Sequence, residues 1–218
     1  MKTEDTGKQF EMAVCLAYGI PFIGKYKYSM GIPEKLKLRL TKLVSLFPMC
    51  RHTAGKTARY DFTSLDGTMH LSAKTTKKGL GKVAPQIIGQ SQPKNFCEVV
   101  GLAEYTDVLY LKQCIQENPI KVLTALVEHT FDCPNVYYNQ EKDTIRYIVL
   151  NTSIDWNVYG YTWTRNWSEW TNSSTLKVNG VSLVEFQFHS KSRTNMAVRW
   201  NYENFLVLFR NNLAISNL

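Results

Sequence analysis

Apolar residues in the first 50 positions recur at helical spacing. They interrupt charged and polar residues over positions 4–18, and Gly19-Ile20-Pro21 follows, so a first helix is expected there. A second helix is expected over residues 33–47, because Pro33 and Glu34 suit its first turn and Pro48 ends it. The apolar residues predicted to form its buried face are Leu36, Leu40, Leu43 and Phe47.

The pattern then becomes extended. Residues 59–63 and 68–75 read as two strands, and the turn between them contains Asp66-Gly67, which favours a hairpin. A basic, glycine-containing loop follows over residues 75–82. Helices are expected to fill most of residues 85–131, with breaks before prolines.

The last third is predicted to be rich in hairpins. Residues 136–139 and 144–150 flank a polar turn, which indicates one hairpin. Residues 175–178 and 181–189 flank Asn179-Gly180, a dipeptide typical of tight turns between strands.

A final helix is predicted over residues 201–213. The order of helices, hairpin, helices, strands and helix indicates an α+β (α/β) fold with a mixed central β-sheet flanked by helices. We expect one domain over residues 1–218, with a core in residues 1–135 and a β-rich part in residues 136–218.

Composition and charge favour a globular protein that acts on a polyanion. Hydrophobic residues make up 44% of the chain and charged residues 20%, which suits a folded core. The formal net charge of +8 attracts polyanions, and aromatic residues lie beside cationic or amide residues in the C-terminal third. This combination favours nucleic acid as the partner.

Cytoplasmic localisation without membrane association is the expectation. The first five residues are charged or polar after the initiator methionine and resemble no secretory signal, and no apolar run approaches the length of a membrane span. The five cysteines are scattered and odd in number, which predicts free thiols in a reducing compartment.

The predicted hairpin carries the strongest candidate chemistry. Asp61 and Lys74 lie on consecutive strands joined by a tight turn, so their side chains can converge. Magnesium binds carboxylate oxygens, and a lysine beside the metal can stabilise phosphate charge or activate a water. The pair therefore fits a phosphodiesterase, although an ordinary surface hairpin with a charged end has the same pattern.

Two flanking features add to this pattern. The stretch Gly7-Lys8-Gln9-Phe10-Glu11 places a glutamate on the first helix. Gln86 and Gln90 follow the basic loop, and they would share one face of a predicted helix because they are one turn apart.

This order of residues, over roughly the first 90 positions, resembles the PD-(D/E)xK nuclease superfamily, and most of all type II restriction endonucleases. The resemblance implies a restriction-endonuclease-like core in which Glu11 and Asp61 hold Mg²⁺ and Lys74 is the catalytic lysine. It also implies that Gln86 orients Lys74 or a phosphate, and that the products carry 5′-phosphate and 3′-hydroxyl ends.

The chain departs from that superfamily two residues before Lys74. Ser72 stands where an acidic residue is usual, and we expect it to support the water or the metal shell. Glu11 is the first candidate for the substitute carboxylate and Glu98 the second. Because of this departure, the sequence leaves open whether one or two metal ions bind.

DNA contacts are predicted in the basic loop and near the C-terminus. Lysine and arginine contact phosphates, while arginine and asparagine can read base edges. The predicted DNA-binding residues are Lys77, Lys78, Lys82, His189, Lys191, Arg193, Asn195 and Arg199. The tryptophan-rich stretch 163–170 could enter a DNA groove or pack in the interior.

Together these patterns predict a type II restriction endonuclease. It would bind double-stranded DNA at a short site and cut with Mg²⁺. The catalytic core would lie in residues 1–135 and the DNA-recognition part in residues 136–218. A palindromic site would favour a homodimer. Two alternatives stay open at this point: a structure-specific nuclease of the junction-resolvase or repair type, and a non-catalytic DNA-binding protein.

Overall fold

The computed structural model describes residues 3–55, 58–188 and 196–218. Within these ranges the helices are α1 (Thr3–Tyr18), α2 (Gly31–Arg39), α3 (Leu43–Leu46), α4 (Pro93–Val100), α5 (Val108–Glu117), α6 (Pro119–Glu128) and α7 (Tyr202–Leu208). The strands are β1 (Cys50–His52), β2 (Phe62–Ser64), β3 (His70–Thr76), β4 (Lys82–Val83), β5 (Asn135–Asn139), β6 (Thr144–Leu150), β7 (Tyr161–Trp163), β8 (Ser173–Val178), β9 (Val181–Phe188), β10 (Met196–Asn201) and β11 (Leu213–Asn217). Single 3-10 turns lie at Ile88–Gln90, Trp156–Val158 and Arg210–Asn212.

The chain divides into two compact units and passes between them more than once. The first unit contains Met1–Gly81, Cys133–Thr152 and Asn211–Leu218. The second contains Lys82–Asp132 and Ser153–Arg210. The mixed α+β composition agrees with the predicted fold class, and the described strands form two sheets, of which the mixed one belongs to the first unit. That the whole chain works as a single nuclease domain stays a prediction.

The first unit is built on a mixed sheet with the strand order β1-β2-β3-β5-β6-β11. Strands β3 and β5 pair in parallel, and the other neighbours are antiparallel. Helix α1 packs against β3 and α2 against α1. Phe10, Val14, Phe62 and Leu71 are fully buried between these elements, which places one face of the sheet on the core.

The second predicted helix is interrupted. The chain turns at residues 40–42, where the Leu40 amide donates to the Lys37 carbonyl and the Leu43 amide to the Leu40 carbonyl. The residues predicted as its buried face are nevertheless all buried: Leu36, Leu40, Leu43 and Phe47. The hydrophobic spacing therefore identified the buried positions correctly, while the helix itself splits into α2 and α3.

The second unit contains an antiparallel sheet with the strand order β4-β10-β9-β8-β7. Asn179 and Gly180 both have positive φ and join β8 to β9, as the sequence predicted. Alternation buries Leu176, Phe186 and Val198 on one face of this sheet. Polar side chains consequently occupy its other face.

The predicted C-terminal helix is shorter than expected. Helix α7 ends at Leu208, and Leu213 already belongs to β11, which pairs antiparallel with β6. The sequence pattern offered no sign of this strand, because its pairing partner lies more than 60 positions earlier in the chain.

Two further expectations concern the thiols and the membrane. All five cysteines are buried and free, as predicted. Among the helices in the described ranges, none combines the length and the apolar character needed to cross a bilayer.

Candidate active site

Asp61 lies immediately before β2, and the neighbouring strand β3 holds its carboxylate in place. The hydroxyl of Ser72 donates to Asp61 Oδ2 at 3.1 Å, and the backbone amide of Ala73 donates to the same oxygen at 2.7 Å. The β2–β3 register pairs Phe62 with Leu71, which brings Asp61 opposite Ser72 on the other face. The predicted hairpin thus places this carboxylate against β3.

Lys74 lies two residues after Ser72 on the same face of β3 and is half-buried. Burial raises the pKa of Asp61, the charge of Lys74 lowers it, and the charge of Glu11 raises it again, so that the pKa lies above its ordinary value. The charges of both Lys74 and Glu11 therefore act on the Asp61 carboxyl.

Glu11 lies on α1 with its side chain largely buried. Its Oε2 accepts hydrogen bonds from Lys8 Nζ at 2.8 Å and from His52 Nε2 at 3.2 Å. Burial by itself would raise the pKa of Glu11, but the hydrogen bonds from His52 and Lys8 and the charge of Lys8 bring it below the ordinary value. Glu11 is therefore held as a carboxylate.

His52, on β1, is a residue of the site that the sequence did not reveal. Its side chain is fully buried and stacks on Phe22, with the ring centroids 4.5 Å apart. The backbone amide of Ile23 donates to Nδ1 at 2.9 Å, so the proton of the neutral ring lies on Nε2 and points at Glu11. His52 thus fixes the orientation of Glu11. No local sequence pattern predicts this contact, since the two residues are 41 positions apart.

The donor set fits a hard divalent cation. Magnesium is commonly held by one or two carboxylates while substrate phosphate and water complete its shell. Asp61 and Glu11 supply two carboxylates, and the charge of Glu11 makes Asp61 harder to ionise, a cost that a cation would offset. Among the residues that the structure describes, no group of three or more His, Cys, Asp or Glu gathers as a metal cluster.

Glu98, the second candidate for the substitute carboxylate, is exposed on α4 in the second unit. Glu11 is the carboxylate whose charge acts on Asp61 in the structure. Glu11 therefore stays the first candidate for the substitute carboxylate.

Gln86 is not on a helix, so the predicted Gln-bearing helix was wrong. Ile87 has a φ of +61°, which breaks any helix between Gln86 and Gln90, and Gln86 is buried while Gln90 is exposed. The turn is close-packed, since a Cβ on Gly89 would lie 2.7 Å from the Cβ of Ala84. Gln86 belongs to the second unit, and its predicted role toward Lys74 stays a prediction.

The predicted basic loop contributes to both units. Lys77 is half-buried and Lys78 exposed, and both belong to the first unit, where Glu141 accepts a hydrogen bond from the Gly79 amide at 2.9 Å. Lys82 begins β4 in the second unit. The other predicted loop residues, His189, Lys191, Arg193 and Asn195, lie outside the described residues.

Arg199 lies on β10, and it belongs to a charged cluster on the polar face of the second sheet. Glu185 on β9 forms an ion pair with Lys82 at 2.6 Å and lies 4.0 Å from Arg199. Arg199 Nη1 also donates to Gln187 Oε1 at 3.3 Å. Two cations are thus held around one carboxylate across three strands.

Comparison with known proteins gives one informative similarity. A protein named type II restriction enzyme CviAII, from Paramecium bursaria Chlorella virus 1, is 39% identical to this chain over 218 residues. The alignment covers 99% of this chain and 63% of that protein, so the chain spans less than two thirds of the length of this relative. No protein-family model matches the chain, and no solved structure matches it.

The tryptophan-rich stretch is partly interior. Trp170 is buried against Phe186 and Phe188, and Lys112 donates to its carbonyl oxygen. Arg165 is exposed, and the side chain of Gln116 donates to its carbonyl at 2.8 Å. Packing therefore accounts for Trp170, whereas the exposed positions around Arg165 form an ordered surface.

Proposed function

We propose that the chain is a type II restriction endonuclease that binds double-stranded DNA at a short specific site and hydrolyses phosphodiester bonds with Mg²⁺. The observation that carries this proposal is the Asp61 carboxylate, which Ser72 and Ala73 hold against β3 and on which the charges of Lys74 and Glu11 act. The 39% identity to a protein named as a restriction enzyme supports the same activity.

In this mechanism Asp61 and Glu11 are the residues that hold the metal. Both hydrogen bonds to Glu11 use Oε2, so Oε1 is the oxygen that we assign to the cation. When bound, Mg²⁺ would supply positive charge at the scissile phosphate and lower the pKa of a water. The resemblance to PD-(D/E)xK nucleases extends the proposal to products with 5′-phosphate and 3′-hydroxyl ends.

Lys74 is the proposed catalytic lysine. The charge of its ammonium group acts on Asp61, and its strand, β3, pairs with β2 on one side and with β5 on the other. There it can donate to a phosphate oxygen as negative charge develops, or orient the attacking water. Ser72 keeps Asp61 oriented through its hydroxyl, which gives the serine at the usual acidic position a positioning role.

Recognition is assigned to basic residues of both units. Lys77, Lys78 and Lys82 would contact phosphates, and Arg199 would contact base edges or phosphates. Palindromic sites favour two-fold symmetric enzymes, so we propose a homodimer as the cutting species. The loop residues His189, Lys191, Arg193 and Asn195 remain part of the proposed DNA surface.

Incubation with a long natural DNA and Mg²⁺ tests the proposal. A restriction enzyme gives discrete bands, and end-labelling of the fragments identifies 5′-phosphates. A smear would indicate a nuclease without site choice, and preferential cutting of branched DNA a structure-specific nuclease. An intact substrate that is nevertheless bound would contradict catalysis and indicate a DNA-binding protein.

A further inference from the structure

The stretch immediately before Asp61 stacks on the polar face of the first sheet. The rings of Tyr60 and His70 are nearly parallel, with an interplanar angle of 7° and centroids 4.0 Å apart. The guanidinium carbon of Arg59 lies 5.5 Å from the centroid of the Tyr60 ring. Tyr60 therefore contacts both an imidazole and a cation through its aromatic ring.

A chain of hydrogen bonds fixes this stack. The hydroxyl of Thr53 donates to the carbonyl oxygen of Tyr60 at 3.1 Å and lies 3.2 Å from the hydroxyl of Thr63. The Thr63 hydroxyl in turn lies 3.2 Å from His70 Nδ1. The chain of bonds thus starts at the Tyr60 backbone and returns to the ring that stacks on Tyr60.

The number of available protons gives these bonds a direction. Thr53 uses its hydroxyl proton on the Tyr60 carbonyl, so Thr63 must donate to Thr53. Thr63 then has no proton left, and His70 must donate from Nδ1. Every group in the chain of bonds is satisfied in this arrangement, which favours a rigid position for His70 and Tyr60.

The stack shares its face of the sheet with the candidate active site. Strand pairing places Arg51, Thr63 and His70 in one row across β1, β2 and β3. Alternation puts Ser72 and Lys74 on the same side as His70. Arg51 and Arg59 are both exposed, so this face carries exposed cations next to Asp61.

We propose that Arg59 binds a phosphate of the DNA strand that passes Asp61, adjacent to the phosphate that is cut. Tyr60 and His70 are then positioning residues that hold the Arg59 guanidinium at its place. This assignment rests on the proposed function. It adds a phosphate contact beside the catalytic carboxylate, and no sequence motif indicated that contact.

The chemistry of the stack suits this role. A guanidinium that lies over an aromatic ring presents its N–H groups around the edge of its own plane, in a geometry that matches the oxygens of a phosphate. Because the stack restrains the side chain before DNA arrives, less conformational entropy is lost on binding. A flexible exposed arginine without a ring partner lacks this advantage.

The test compares duplex binding of wild type, Arg59→Ala, Tyr60→Phe and Tyr60→Leu as a function of salt concentration in EDTA. Lys35→Ala serves as the matched control, because Lys35 is an exposed cation on α2, which packs against α1. Fluorescence anisotropy gives the affinity, and plasmid cleavage with Mg²⁺ is measured in parallel on the same proteins.

Arg59→Ala should lower the slope of log affinity against log salt by about 0.9, the value for one lost phosphate contact on duplex DNA. Tyr60→Phe keeps the ring and should bind like wild type, while Tyr60→Leu should weaken binding toward the level of Arg59→Ala. Lys35→Ala should keep the wild-type slope.

If wild type binds and cuts DNA while Arg59→Ala keeps the wild-type slope, this inference is overturned and the proposed function stands. If Tyr60→Leu binds like wild type although Arg59→Ala does not, the positioning role of the stack is overturned. If wild type neither binds nor cuts duplex DNA, the proposed function fails and this inference fails with it.

Discussion

The polar faces of the two sheets carry charges of different kinds. In the first unit, Asp61 accepts two hydrogen bonds, and its pKa is raised by burial and by the charge of Glu11 despite the opposing charge of Lys74. In the second unit, Glu185 is flanked by Lys82 and Arg199, whose side chains are 40% and 33% exposed. The charged groups around Asp61 therefore have little access to water, whereas Lys82 and Arg199 remain partly hydrated.

This contrast separates charged groups that suit catalysis from charged groups that suit DNA binding. A charge with little access to water interacts strongly with its neighbours, which suits transition-state stabilisation and metal binding. Partly exposed cations that already have partners form weaker, exchangeable contacts that suit a polyanion surface. Changes at Asp61, Glu11 or Lys74 should therefore act on the rate of cleavage, and changes at Lys82 or Arg199 on affinity and site choice.

Removal of the metal should have the largest effect. EDTA should abolish cleavage, and Mg²⁺ or Mn²⁺ should restore it, because two carboxylates need a cation between them and the phosphate. Calcium should permit binding with little turnover, since its larger and looser shell places water and phosphate less well. Gel assays of plasmid cleavage measure this, and full activity in EDTA would contradict a metal-dependent site.

Glu11→Gln should slow cleavage by roughly 10²–10³-fold, the usual cost of losing one group that stabilises the transition state. The amide keeps the size of the side chain and removes its charge. Glu34→Gln is the matched control, because Glu34 is exposed in the first turn of α2. Single-turnover rates compare the two, and a Glu11→Gln enzyme that cuts like the control would show that Glu11 is no ligand.

Asp61→Asn should abolish cleavage and yet make the fold more stable at neutral pH. Because the pKa of folded Asp61 lies above its ordinary value, the folded protein holds more protons between the two values. Stability therefore falls as the pH rises through that interval, and the full cost is present above it. An amide has no charge to desolvate and can still accept the hydrogen bonds from Ser72 and Ala73.

The control for this stability gain is Asp66→Asn. The hydrogen bonds from Ser64 and Thr68 lower the pKa of Asp66, so its ionised form stabilises the fold above its ordinary pKa. Thermal unfolding at neutral pH should show a gain for Asp61→Asn and no gain for Asp66→Asn. A loss of stability in Asp61→Asn would mean that ionised Asp61 stabilises the fold, which contradicts a raised pKa for this carboxyl.

The smallest effects are expected in the second unit. Arg199→Ala should reduce the preference for the cognate site over a one-base variant by about 1–3 kcal/mol, the range for an arginine that reads a base. Lys82→Ala should weaken binding to both duplexes equally and lower the slope of log affinity against log salt by about 0.9. Equilibrium binding of both duplexes, measured over a range of salt concentrations, separates the two. Wild-type discrimination and affinity in both variants would remove this cluster from the DNA surface.

Local patterns predicted the parts of the molecule that local chemistry determines. Alternation and a tight turn placed Asp61 beside β3 and Lys74 on it, and helical spacing identified the buried face that includes Leu36 and Phe47. Asn179-Gly180 predicted its hairpin because few other residue pairs adopt two consecutive positive φ angles.

Long-range contacts account for what the sequence did not reveal. His52, which orients Glu11, is 41 positions away from it in the chain. Strand β11 pairs with β6, whose residues lie far earlier in the sequence. In these two cases the deciding partner lies outside the window in which periodicity is read. The helix expected around Gln86 fails for a local reason, because Ile87 adopts a positive φ that hydrophobic spacing does not reveal.

The most direct test of the central claim is single-turnover cleavage of a duplex by wild type and Lys74→Ala, at protein concentrations that saturate the DNA in both. Lys74 is proposed to act on the transition state, so its loss should leave the affinity nearly unchanged and lower the cleavage rate by roughly 10²–10³-fold or more. Lys35→Ala should cut at the wild-type rate. A Lys74→Ala enzyme that cuts as fast as wild type would show that the cluster of Asp61, Glu11 and Lys74 is not the active site.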